Sequence, residues 1–321
     1  MKPKISVVVC ERNSEKFITH CIESVMQQEF RDFELIIVDD YSTDSTKEKI
    51  KELQKKHNIN LIELKEHNGI SKARNKGIKF ALGELIAFID SDCIAQKNWL
   101  KELLKGFVDE KTVSVGGPNL TPKNSNEKEK VFGELLELIS GIGSSYVKKS
   151  DKIIEVKHNP SCNSMYRKET LLQMNGFNEK LSSNEDPELD YRIRKAGKKI
   201  KFNPKAVVFH HRKDSIKKIF NQAFWFGLGR MQAIKLHYEM AELFRLIPAL
   251  SIILAVALLF YGLIINELSF FIYYLILLFF SLFLISFIAV IKFKRFSLNY
   301  FFFLVSWFFG YGFGMLKGVI K

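Results

Sequence analysis

The sequence has little of what marks several common protein classes. Its 321 residues contain four cysteines, Cys10, Cys21, Cys93 and Cys162, and these show none of the paired spacing used by metal sites and disulfide frameworks. In a reducing compartment they read as small apolar fillers. No apolar run is followed by G-x-G-x-x-G or by G-x-x-x-x-G-K-[S/T], which disfavours a dinucleotide-binding domain and a phosphate-loop ATPase. No internal repeat is present. No signal-peptide-like segment precedes the first charged stretch. No recognisable motif accompanies the basic composition, so nucleic acid is not expected as a partner.

In the C-terminal part, what is missing is charge. Before Leu243 the chain mixes Lys, Glu and Asp with short apolar runs, whereas Leu246 to Ile265, Leu268 to Ile291 and Leu298 to Leu316 carry no charged side chain. At about 1.5 Å per helical residue each could cross a hydrocarbon core of about 30 Å. Gly310, Gly312 and Gly314 loosen the third, and Lys317 follows at once, so that segment could instead lie in the interface or re-enter. Two to three spans are expected. Lys292, Lys294 and Arg295 separate the second and third segments, and the positive-inside rule puts this loop, with the preceding head, in the cytoplasm. The expectation is a multi-pass cell-membrane protein.

The formal net charge of +13 favours polyanionic surroundings such as anionic lipid. Between Ser215 and Arg245, Ile216, Ile219, Phe220, Ala223 and Phe224 recur at helical spacing among Lys217, Lys218 and Arg230, as in a helix lying at headgroup level. Membrane lipid is therefore an expected partner. The expected division is a head over 1–212, amphipathic interfacial helices over 213–245 and a transmembrane region over 246–321.

Within the head, strand-like runs at Ile5 to Cys10, Phe33 to Asp39, Asn60 to Leu64 and Leu85 to Ile89 alternate with helical patterns at Glu15 to Gln28, Thr43 to His57 and Ser71 to Leu82. This predicts an α/β fold with a mainly parallel, Rossmann-like sheet. Thr121 to Ser150 reads as an insertion with an amphipathic helix around Val131 to Ile139. Short strands are expected at Ile153 to Val156, Cys162 to Tyr166, Lys199 to Phe202 and Ala206 to Phe209. Ligands of such sheets bind beyond the carboxyl ends of the strands, and two of those ends carry acids: Asp39-Asp40 and Asp90-Ser91-Asp92. Two carboxylates one residue apart can converge on Mg²⁺ or Mn²⁺, whose shell is completed by water and substrate phosphates.

The ordered set SVVVCERN (6–13), IIVDDYSTDST (36–46), NGISKARNKG (68–77), FIDSD (88–92) and NEDPELDYRIRKAG (184–197) resembles the family 2 glycosyltransferases of GT-A fold, over about residues 4–230. The resemblance implies a nucleotide-diphospho-sugar donor, with Asp40 on the base, the backbone around Cys10 and Asn13 beside it, and Arg74 and Asp90 near the nucleotide-sugar. Cys10 departs from the small polar residue common there. The resemblance further implies Asp92 with Asp90 on the metal, and a histidine as third ligand: His210, with His211 an equal chemical candidate. Asp186 matches the general base of an inverting transfer, with Glu185 as its neighbour and runner-up. Gly116-Gly117 would allow close approach of a sugar or of backbone, and Asn163 would offer hydrogen bonds to acceptor hydroxyls.

The implied function is metal-dependent, inverting transfer of a single sugar to a membrane-associated acceptor, lipid-linked or a growing glycan. A polyprenyl-phosphate sugar synthase is the rival within the class, because an ionised phosphate needs little help from a base. A catalytically silent scaffold of a glycan-assembly complex is the rival outside it. The family's processive members carry Gln-x-x-Arg-Trp, and Gln222 to Phe226 lacks the arginine at that spacing.

Overall fold

The structure is a computed structural model and describes residues 2–140 and 151–320. Chain order is β1 (Ile5–Glu11), α1 (Ile18–Met26), β2 (Phe33–Asp39), α2 (Thr46–Gln54), β3 (Ile59–Glu63), α3 (Ile70–Phe80), β4 (Leu85–Ile89), β5 (Cys93–Ala95), α4 (Trp99–Lys105), β6 (Thr112–Gly116), β7 (Asn119–Leu120) and α5 (Glu127–Ser140). Then come β8 (Ile154–Glu155), β9 (Asn163–Arg167), α6 (Lys168–Gln173), α7 (Glu185–Lys195), β10 (Lys199–Phe202) and β11 (Val208–His210). The remainder is helical: α8 (Ile216–Leu236), α9 (Leu243–Ile264), α10 (Ser269–Phe293) and α11 (Asn299–Ile320). The expected insertion extends into 141–150, outside the described residues.

The main sheet runs β3-β2-β1-β4-β9-β6-β10-β8. Its first four strands are parallel, and β9 enters antiparallel to both β4 and β6. Continuous apolar strands suit it because both faces are covered. Val7, Val9, Leu35, Ile37, Ala87 and Ile89 pack with Ile22 of α1 and Trp99 of α4. The alternate residues Val8, Ile36, Val38, Ile86 and Phe88 pack with Ile78 of α3 and Leu189 of α7. Each such side chain buried contributes roughly 1.5–3 kcal/mol. Since β1 lies between β2 and β4, the winding reverses there and opens a crevice at the strands' carboxyl ends. A small sheet, β5-β11-β7, lies in the same unit.

The second compact unit comprises residues from Arg212 onward together with 125–139 and 181–184. Three of its helices, α9, α10 and α11, are long and apolar enough to cross a membrane. Helix α9 begins at Leu243, so Arg245 sits in its first turn rather than in a separate interfacial segment. Helix α11 packs along α8 in parallel. A Cβ on Gly310 would lie 2.6 Å from the Phe220 carbonyl oxygen, one on Gly314 2.0 Å from that of Phe224, and one on Gly318 2.9 Å from that of Leu228. This is the small-xxx-small packing by which apolar helices approach closely. Two of the glycines flagged in the sequence as loosening α11, Gly310 and Gly314, are therefore what lets it close on α8, while Gly312 faces Pro248 and Ile252 of α9.

Helix α5 belongs to the same unit. Its Val131, Phe132 and Leu135 share a core with Ile219 of α8 and with Tyr300, Phe303 and Leu304 of α11. Lys292 pairs with Glu137 at 3.4 Å and Arg295 with Glu134 at 3.3 Å. Nothing in the amphipathic pattern of α5 distinguished this partner from the sheet.

Candidate active site

At the carboxyl edge of β1 and β2, Glu11 and Asp39 are register partners, and two acids side by side in a buried place share a proton. Glu11 is pushed up to about 9, first by burial and then by the hydrogen bond and charge of Asp39. Burial also acts on Asp39, but hydrogen bonds from Glu11 and Ser42 outweigh it and hold that carboxyl below its ordinary value. Asn13 adopts a left-handed conformation with φ of 54°, which Asn tolerates. From there its Oδ1 accepts a hydrogen bond from Thr43 N–H at 2.8 Å and ties the β1 and β2 loops together. Cys10 is buried next to them, and burial raises its thiol to about 12.

Asp40 accepts from the backbone N–H groups of Asn68 (2.7 Å) and Gly69 (2.9 Å), and His67 Nδ1 lies 2.7 Å from its Oδ2. Its carboxylate thus pins the loop that opens α3. His67 and Glu11 gave no motif-level signal in the sequence.

Arg74, on the buried side of α3, is the hub of the crevice. Its guanidinium donates to Asp90 Oδ1 at 3.2 Å and to Glu185, and it stacks over the Phe177 ring with its centre 5.4 Å from the centroid. Burial disfavours its charge, but Glu185, Asp90 and Asp186 together hold it protonated. Asp90 is raised to about 7, chiefly by desolvation and against the pull of Arg74. Glu185 is raised by burial as well, and its carboxylate is committed to Arg74.

Asp92 lies in the turn between β4 and β5. Cys93 of β5 stands opposite His210 of β11 in the small sheet, and this register brings His210 Nε2 to 3.2 Å from Asp92 Oδ1. The neighbouring His211 packs its ring on Phe17 and donates its backbone N–H to the Asp92 carbonyl. Asp92 and His210 thus offer an oxygen and an imidazole donor side by side, chemistry suited to a hard or borderline divalent cation.

At the start of α7, Asp186 Oδ2 accepts from Ser161 N–H at 3.0 Å and from the Ser161 hydroxyl at 3.3 Å. His158, which sequence reasoning missed in its irregular loop, stands behind it. Its Nδ1 lies 2.8 Å from the buried Asp190 and its Nε2 3.9 Å from Asp186. Burial raises the Asp190 carboxyl. Asn163 has no amide atom to spare for acceptor hydroxyls: it binds Trp99 Nε1, Pro118 O and Ala206 O inside the core. At Gly116 and Gly117 the close approach is by the protein itself, Asn159 and the Ala206 carbonyl respectively.

The family model for glycosyl transferase family 2 matches residues 6–173. A dolichyl N-acetyl-α-D-glucosaminyl phosphate 3-β-D-2,3-diacetamido-2,3-dideoxy-β-D-glucuronosyltransferase of Methanococcus voltae is 28% identical over 73% of this chain and 75% of its own length. The poly(ribitol-phosphate) β-N-acetylglucosaminyltransferase TarS of Staphylococcus aureus is 39% identical over 33% of this chain, a match that spans only 19% of TarS. Among solved structures, the mannosyltransferase PcManGT of Pyrobaculum calidifontis in complex with GDP-Man and Mn²⁺ aligns with a TM-score of 0.58 at 16% identity, covering 75% of this chain and 66% of that one. The last likeness is one of fold.

Proposed function

The chain belongs to glycosyl transferase family 2, and from that premise we propose that it transfers a single sugar, with inversion, from a nucleotide-diphospho-sugar to a hydroxyl of a membrane-borne acceptor. The observation that carries this reading is Asp186, a carboxylate oriented by the Ser161 N–H and linked through the Glu185-Arg74-Asp90 chain to the Asp92 and His210 side of the crevice. Asp186 takes the proton of the acceptor hydroxyl while that oxygen bonds to the anomeric carbon. The bond to the nucleoside diphosphate breaks in the same event, and no covalent sugar-enzyme species is needed. Asp90, Asp92 and His210 would hold Mg²⁺ or Mn²⁺, which when bound offsets the charge developing on the diphosphate. Arg74 holds Asp90 in place and opposes the effect of burial on its carboxyl. Asp40, Asn13 and the backbone at Cys10 form the base-binding edge.

The acceptor class follows from the need for a base. An ionised polyprenyl phosphate would not require Asp186, whereas the archaeal relative is named for adding to a dolichyl-phosphate-linked sugar, which supports a lipid-linked saccharide. Asp186→Asn should lower transfer by 10²-fold or more while nucleotide binding with Mn²⁺ persists. Largely retained transfer would instead favour a phosphate acceptor, and absence of nucleotide binding by the unaltered protein would favour the scaffold.

Membrane sidedness is part of the proposal. Helix α5 pairs with the last turn of α10 through Lys292 and with the α10 to α11 loop through Arg295, and the basic character of that stretch supports placing the loop on the cytoplasmic side. Helices α9 and α10 then form a hairpin that crosses and returns. Half of the most apolar window of α11 is buried, against 17% for the other two. Its neighbour α8 carries Lys217, Lys218, Arg230 and Lys235, each costing about 2.5–3.5 kcal/mol at a membrane centre. The α8 and α11 pair accordingly lies at the cytoplasmic surface.

A further inference from the structure

Next to the carboxylates, the structure gathers a donor set of different chemistry. The Sγ atoms of Cys93 and Cys162 and a ring nitrogen of His210 all lie within 4.8 Å of one another. Metal distances of about 2.3 Å to sulfur and 2.0–2.1 Å to nitrogen put tetrahedral donors roughly 3.3–3.8 Å apart, so small side-chain rotations close the set. Cys93 is 1% and Cys162 5% exposed. Two thiolates and a divalent cation form a neutral unit, which burial tolerates where separate charges would be costly. Asn119 Nδ2 donates to Cys162 Sγ at 3.3 Å, the kind of outer bond that orients a ligating sulfur. Asp92 Oδ1, 3.2 Å from His210 Nε2, is near enough to orient the imidazole.

We propose that Cys93, Cys162 and His210 bind a thiophilic divalent cation of the Zn²⁺ class, and that its binding inhibits transfer by withdrawing His210 from the hard cation. The inhibition rests on the role given to His210 above; the binding does not. Each metal-sulfur bond forms as the thiol releases its proton to solvent, and no oxidant is involved. Sulfur donors discriminate against Mg²⁺ and Mn²⁺, so the two sites sort metals by ligand softness.

The test uses the full-length protein in detergent with a phosphine reductant, and Co²⁺ as the spectroscopic stand-in for Zn²⁺. The unaltered protein should show a sulfur-to-Co²⁺ charge-transfer band in the near ultraviolet with tetrahedral visible absorption, and one equivalent of Zn²⁺ should abolish both. Cys93→Ser and Cys162→Ser should each lose the band, and their Mn²⁺-supported transfer should be at least tenfold less sensitive to Zn²⁺. A Co²⁺ spectrum without the thiolate band in the unaltered protein overturns the binding site, whether or not the variants fold. Equal Zn²⁺ inhibition of the protein and of Cys93→Ser/Cys162→Ser overturns the mechanism of inhibition, since Asp90 and Asp92 would then be the target. A failure of Mn²⁺-dependent transfer would count against the proposed function and leave the Co²⁺ spectrum as it is.

Discussion

Glu11 shows how one residue can tie the catalytic edge to pH. Its folded value, about 9, lies above its ordinary 4.5, so the folded chain holds a proton that the unfolded chain has released. The stability from that proton is complete below about pH 4.5, declines as pH rises and is gone above about 9, at a slope of up to about 1.4 kcal/mol per unit. Asp39, shifted the opposite way, contributes stability that is lost only on acidification below its ordinary range. Glu11→Gln keeps the neutral form at all pH values, so thermal unfolding between pH 5 and 9 should lose part of its downward slope; an unchanged slope would place the proton elsewhere. The pairing of Glu11 with Asp39 was beyond motif reading, because it depends on the β1 and β2 register. Asp40, Arg74, Asp92 and Asp186 could be put forward from the sequence since each lies in a stretch whose order along the chain is itself the signal. The grouping of Cys93 and Cys162 could not, as 69 positions separate them in the sequence and the register of β5 and β11 brings Cys93 to His210, while Cys162 comes from the turn before β9.

At the scale of elements, the main strands were legible within a residue or two, because continuous apolar runs of five to seven residues admit few other structures. The partner of each helix was not. Helix α11 reads as a third span by composition, yet its glycine face is fitted to α8, where the Gly314 Cβ position falls 2.0 Å from a backbone oxygen. Gly314→Ala must push the helices apart, and a destabilisation of about 1–3 kcal/mol is expected, read as a lower unfolding temperature in detergent. Leu263→Ala, at a side chain 59% exposed on α9, should leave that temperature nearly unchanged. A comparable loss from both substitutions would mean that α8 and α11 do not depend on this contact.

For the whole molecule, the sequence suggested a cut between a soluble head and a membrane tail near residue 212. The helical unit does take in everything from Arg212 onward, but residues 125–139 and 181–184 also belong to it although both precede that point. A fragment ending at 212 would keep α5 and discard its cover, leaving Val131, Phe132 and Leu135 without Phe303 and Leu304. Such a fragment should be recovered as aggregate, whereas Val131→Ser/Phe132→Ser/Leu135→Ser in the same fragment should restore a monodisperse species in gel filtration. If the unmodified fragment is monodisperse, α5 does not need the tail. Helix α5 is an outlying piece of the helical unit, so a single proteolytic cut near residue 212 would leave part of that unit's core on the N-terminal fragment.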